Sequence, residues 1–115
     1  MATPGVHVLG DATLSAPAMP KSGSMANNHA KIAASAIVAT MTGQPLNAAP
    51  IIINTCYSYV SDREAMHVDS VHRWDAGKKT LEPVAGAGGV SSQRSEIEKG
   101  FADAWATNIW ADTLA

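Results

Sequence analysis

The sequence predicts an α+β fold made of an alanine-rich helix, a three-stranded antiparallel meander and a C-terminal helix. Three observations carry this expectation. A long alanine-rich stretch between Ser22 and Gly43 has stop and start signals at both ends. Three β-branched or alternating runs follow between Ile51 and Val84, separated by turn residues. The last stretch places Ile97, Phe101, Trp105 and Ile109 at helical spacing.

Val6 to Leu9 is a short apolar, β-branched run that stops at Gly10-Asp11, the pattern of a buried strand ending in a turn. From Asp11 to Gly23 the residues Pro17, Pro20 and Gly23 exclude a continuous helix, so a loop follows. Ser22 or Ser24 can cap the alanine-rich helix, Gly43 fits the left-handed residue just past its end, and Pro45 comes two residues later. Lys31 is the only charge on that helix, and its apolar residues lie nearly all round. Such a helix is expected to be covered on more than one side.

Ile51 to Val60 and Ala65 to Trp74 read as strands, and Asp75-Ala76-Gly77 reads as the turn into a short third strand from Thr80 to Val84. Ala85 to Gly89 reads as a flexible hinge, since Gly86 to Ser91 lacks the last glycine of a dinucleotide loop and Pro83 interrupts the strand before it. The last helix is expected from about Ser92. Trp105 and Trp110 lie five residues apart, so at most one of them packs inward with Phe101 and Ile109.

The 115 residues suffice for one core. Hydrophobic residues make up 46% and charged residues 16%, which excludes a disordered chain. A net charge of −2 provides no basic footprint for nucleic acid. No apolar run approaches the roughly 20 residues that a membrane span requires. The single cysteine, Cys56, excludes an internal disulfide and a multi-cysteine zinc site. His67 and His72 lie five apart on one strand and so face opposite ways, which argues against a metal site.

Three features carry chemical potential. Asp11, after a strand and before a helix start, can accept a hydrogen bond from a sugar-like hydroxyl; the alternative is an ordinary exposed turn. Lys21, in Pro20-Lys21-Ser22-Gly23, stands where helix amides favour negative charge; the alternative is a solvated lysine beside a cap. Cys56 is either a small buried hydrophobe or a reactive thiol that needs a partner. The reactive reading would make the chain a one-cysteine thiol enzyme.

Taken together, Val6-His7-Val8-Leu9-Gly10-Asp11-Ala12, Met19-Pro20-Lys21-Ser22-Gly23, Ala26-Asn27-Asn28 and Asn54-Thr55-Cys56-Tyr57-Ser58 resemble the C-terminal part of the flavoprotein subunit of flavocytochrome c sulfide dehydrogenase. Trp105-Ala106-Thr107-Asn108-Ile109 with Ala111-Asp112 is similar to that family's C-terminus. The resemblance implies a C-terminal fragment, with residues 1–45 ending an FAD-binding domain and residues 46–115 forming the interface domain. It implies a periplasmic enzyme that oxidises sulfide or another reduced sulfur compound through a redox disulfide and FAD, and passes electrons to a cytochrome c subunit. Asp11 would hold the ribityl chain of FAD, and Pro20, Lys21, Ser22 and Gly23 would face the pyrimidine edge of the flavin. Cys56 would be one half of the redox disulfide. Trp105 would pack near the flavin ring, with Trp110 as the alternative. The remainder of the flavoprotein would supply the partner cysteine and the nucleotide-binding loop. A rival expectation is a freestanding, non-catalytic module that forms a homo-oligomer through its exposed apolar helix.

Overall fold

The computed structural model describes residues 3–13 and 19–114; Pro17, one of the residues predicted to break the early segment, lies outside them. Helix α1 (Gly23–Thr42) is followed by strands β1 (Ile51–Tyr59), β2 (Ala65–Asp75) and β3 (Thr80–Val90) and by helix α2 (Glu96–Leu114). The strands form one antiparallel meander in the order β1-β2-β3. This is the predicted α+β architecture. The chain divides into two compact units, one of residues up to Asn54 with Val71–Val84, the other of Thr55–Ser70 with the residues from Ala85 on.

In the first unit, the ends of α1 follow from local chemistry. Ser22 has extended backbone and its Oγ accepts the Met25 amide, while Gly43 takes φ +69 and donates back to Ala39 and Thr40. Met25 and Ile52 are buried with Met19, and Ile32 and Leu81 pack on them. This core covers one side of α1 only: Ile37, Val38 and Met41 are exposed, where the uniform apolar character predicts cover on several sides.

Val6 to Leu9 do not form a strand. No neighbouring strand among the described residues supplies the hydrogen bonds that an extended segment needs, and Val6 and Val8 are 60% and 62% exposed. The segment instead runs into a short 3-10 turn, Gly10–Ala12, in which Thr13 donates to the Gly10 carbonyl.

In the second unit, the register of β1 and β2 is fixed by the Val60 amide donating to the Glu64 carbonyl at their turn, and the Tyr57 and His67 rings meet edge to face. The predicted hinge at Ala85 to Gly89 is part of β3, which runs to Val90. Strand β3 is an outer strand, where Pro83 removes a donor without breaking a ladder from both sides. One of its glycines answers a steric demand: at Gly88, φ is +120 and a Cβ would lie 2.7 Å from the Asp69 carbonyl oxygen.

Helix α2 begins at Glu96, not near Ser92. Ser95 exchanges two backbone hydrogen bonds with Ala65, and its Oγ accepts the Glu98 amide, so the cap is pinned to the start of β2. The buried face of α2 is centred on Ala102, with Glu98, Trp105 and Ile109 half-buried around it. Phe101 and Ile97 point to solvent, against expectation, because the inward turn of the helix is set by Glu98 and Trp105.

Gly88→Ala is therefore expected to destabilise the chain more than Gly86→Ala. Gly86 also has positive φ but has open space around it, so that substitution should cost only the left-handed backbone penalty of about 1–2 kcal/mol. Equal midpoints for the two variants in urea unfolding would contradict this account of β3.

Candidate functional site

Asp11, Pro20, Lys21, Ser22 and Gly23 all belong to the first unit, around the start of α1. Gly10 adopts φ +66 and passes so close to the helix that a Cβ there would sit 3.3 Å from the Ala26 Cβ. The Gly10 amide donates to His29 Nδ1 at 3.1 Å, and Lys21 Nζ donates to the Asp11 carbonyl at 2.7 Å. These two bonds join the loop before α1 to the helix and to its entry residue. The carboxylate of Asp11 is left at the surface.

Ser22 is the joint of this arrangement. Its hydroxyl accepts the Met25 amide and donates to the buried Asn54 Oδ1 at 2.6 Å, tying the start of α1 to β1. Ser24, also buried, donates to the Ile53 carbonyl. The first turn of α1 holds no acidic residue, so its dipole and Lys21 give this end a positive character. An anion or a developing negative charge is the chemistry that such an end accommodates.

An open apolar cleft of about 420 Å³ lies in the same unit. Met19, Ile32, Ile52, Trp74 and Leu81 line it, with His29 and Lys79 among its polar groups. Burial holds the His29 pKa below 6.5, in keeping with its Nδ1 acting as an acceptor for Gly10.

Cys56 and Trp105 lie in the second unit. Cys56 is half-buried midway along β1. Tyr57, the next residue, points to the opposite face of the strand, and its ring packs against Trp105 at 6.0 Å between centroids. Trp105 is thus committed to the Tyr57 face, while Trp110 is 65% exposed.

The sequence reading missed a polar cluster on that same face. His67 Nδ1 lies 2.7 Å from Glu98 Oε2, and Ser91 Oγ, 2.9 Å from the same nitrogen, accepts the His67 amide at 2.8 Å. Hydrogen bonding to His67, and then to Ser91, holds the Glu98 carboxyl below its ordinary pKa. Burial, with the nearby charges of Glu98 and Asp69, raises the pKa of Tyr57. The available signal was the Ser95-x-x-Glu98 spacing of a capping box; here the glutamate turns to the sheet instead of back to the cap. Among the described residues, no group of three His, Cys, Asp or Glu side chains is placed to hold a metal ion.

The contact between Gly10 and His29 has a definite pH dependence. The folded-state pKa of His29 lies below the unfolded value near 6.5, so the stability it contributes is complete above that pH and declines as pH falls through the lower, folded value. The Gly10 amide should therefore exchange with solvent faster at pH 5 than at pH 7.5, after correction for intrinsic rates. Unchanged protection by NMR hydrogen exchange would show that the imidazole does not hold the turn.

Residues 48–114, which include all three strands and the whole of α2, match the family model described as "Flavocytochrome c sulphide dehydrogenase, flavin-binding". Cys56, Trp105 and Trp110 fall within the match; Asp11 and Pro20 to Gly23 precede it. With more than half of its length matched, the chain belongs to the flavin-binding family of flavocytochrome c sulphide dehydrogenase.

Proposed function

We propose that this chain is the C-terminal portion of an FAD-dependent sulfide dehydrogenase, acting in the periplasm and passing electrons to a cytochrome c subunit. The observation that carries the reading is the family match across β1–β3 and α2, with the single cysteine half-buried inside it.

The residues at the start of α1 fit a flavin. That end is positive, has no carboxylate in its first turn, and is approached closely by a glycine that leaves no side chain in the way. FAD, when bound, supplies a two-electron acceptor. Lys21 and the helix amides would favour negative charge on its pyrimidine edge, and the surface carboxylate of Asp11 would accept a hydrogen bond from a ribityl hydroxyl. Cys56 would provide one sulfur of a disulfide whose other sulfur lies elsewhere in the complete flavoprotein. Attack by hydrosulfide forms one sulfur–sulfur bond, breaks another and releases a thiolate. Of the two tryptophans, Trp110 has the ring surface available to a flavin, because Trp105 is engaged with Tyr57.

A second reading, a non-catalytic module that associates with itself, is favoured by the exposed Ile37, Val38 and Met41 on α1. No helix among the described residues is long and apolar enough to cross a membrane.

The isolated chain is expected to elute from gel filtration without stoichiometric flavin, since residues 1–45 and 46–115 are, on this reading, only the end of an FAD-binding domain and the interface domain after it. Retained flavin absorbance would defeat that expectation. In the complete flavoprotein, Cys56→Ser should slow the bleaching of flavin by sulfide by at least about 10³-fold, as the loss of a nucleophilic sulfur does; bleaching at the normal rate would remove Cys56 from the reaction.

A further inference from the structure

The apolar cleft of the first unit has no part in the flavin reading. Asp11 and Pro20 to Gly23, the residues that reading uses, do not line it. Its walls are the middle of α1, at Ile32, Ala33 and Ala36, and the three strands, at Ile52, Trp74 and Leu81. Its volume of about 420 Å³ falls within the range of sites for small organic molecules. Ile52 is buried in the core on which Ile32 and Leu81 pack, so the walls stand in place before anything enters.

The polar groups of the cleft suit an anion. Lys79, His29, His7 and Thr80 are present as donors, and no carboxylate lines it among the described residues. His29 Nδ1 accepts the Gly10 amide at 3.1 Å, so the ring proton sits on Nε2. The unit as a whole holds five bases against three acids, a formal charge of +2. The two lysines before β3 are employed differently. Lys78 pairs with Glu82 at 3.3 Å, while Lys79 forms no ion pair among the described residues and lines the cleft. Lys79 has a left-handed backbone, φ +54, a conformation that asparagine or glycine adopts more easily. A lysine at that position keeps an ammonium beside the cleft.

We propose that this cleft binds an unbranched organic carboxylate of medium chain length, its hydrocarbon tail on Ile32, Ile52 and Leu81 and its carboxylate held by Lys79 and His29. The apolar walls are aliphatic apart from the indole of Trp74, which favours a hydrocarbon tail over stacked aromatic rings. A neutral alcohol would gain the same apolar burial without the charge-assisted hydrogen bond. A cation of the same length would meet Lys79 with no opposite charge nearby. The proposal does not depend on flavin binding.

The probes are hexanoate, octanoate and decanoate, each below the concentration at which it forms micelles, with octanol and octylammonium as neutral and cationic comparisons. They are titrated into the isotopically labelled chain and followed by NMR. Shifts are expected at the Trp74 indole N–H and at the amides of Ile32, Ile52 and Leu81, and affinity should rise at least about tenfold from hexanoate to decanoate as further methylenes are buried. Octanoate should bind at least about threefold more tightly than octanol, and octylammonium more weakly than either. Lys79→Asn retains a residue that tolerates the left-handed backbone and should weaken octanoate about threefold or more; Lys78→Asn should leave it unchanged. Ala33→Leu, which fills the wall, should weaken decanoate about fivefold or more. Circular dichroism establishes that each variant is folded. Absence of shifts with decanoate, equal affinity for octylammonium, or undiminished binding by Lys79→Asn or Ala33→Leu would each overturn the proposal. Displacement of decanoate by an equal concentration of FMN would assign the cleft to the flavin and overturn it too.

Discussion

One hydroxyl group holds the first unit in its form. Ser22 Oγ satisfies an amide at the start of α1 and, in the same position, donates to the carbonyl of buried Asn54 in β1. A helix cap alone fixes where a helix begins; a cap that also bonds to a strand fixes where the helix sits. Asn54 is nearly excluded from solvent, and leaving a buried polar atom unsatisfied costs about 1–3 kcal/mol. The loop before α1 depends on this joint, because Gly10 is held to His29 and Asp11 to Lys21, and both of those partners take their positions from α1 and its entry.

The second unit relies on a different device. Its helix is joined to the strands by polar side chains at long sequence separation: Glu98 to His67, and Asp103 to Tyr59, with Lys99 as a further partner of Asp103. Hydrogen bonding to Lys99, then to Tyr59, holds the Asp103 carboxyl below its ordinary range, and the same bond raises the pKa of Lys99. These partners set the rotation of α2, which decides that Ala102 faces inward while Ile97 and Phe101 face out.

Legibility in the sequence followed the range of the interactions. Both ends of α1 were readable because a serine cap and a left-handed glycine act within a few residues. The strands from Ile51 and Ala65 were readable from alternation and β-branching. Val6 to Leu9 misled because strand propensity says nothing about whether a neighbouring strand exists to complete the ladder. Gly88 misled because a close approach to Asp69, nineteen positions earlier, leaves no local trace. The start of α2 was misplaced because Ser95 is chosen by its bridge to Ala65. Among the candidate site residues, the grouping of Asp11, Lys21 and Ser22 could be anticipated from their order along the chain; the engagement of Trp105 with Tyr57 could not, since it depends on the rotation of α2.

The partner of Ser22 lies 32 residues further along the chain. A ribosome adding roughly 5–20 residues per second takes about two to six seconds to cover that interval. Through that interval α1 exists with its cap half satisfied and with Met25 still lacking the strand that buries it. The sequence thus has a built-in delay between making its most apolar helix and making the strand that receives it.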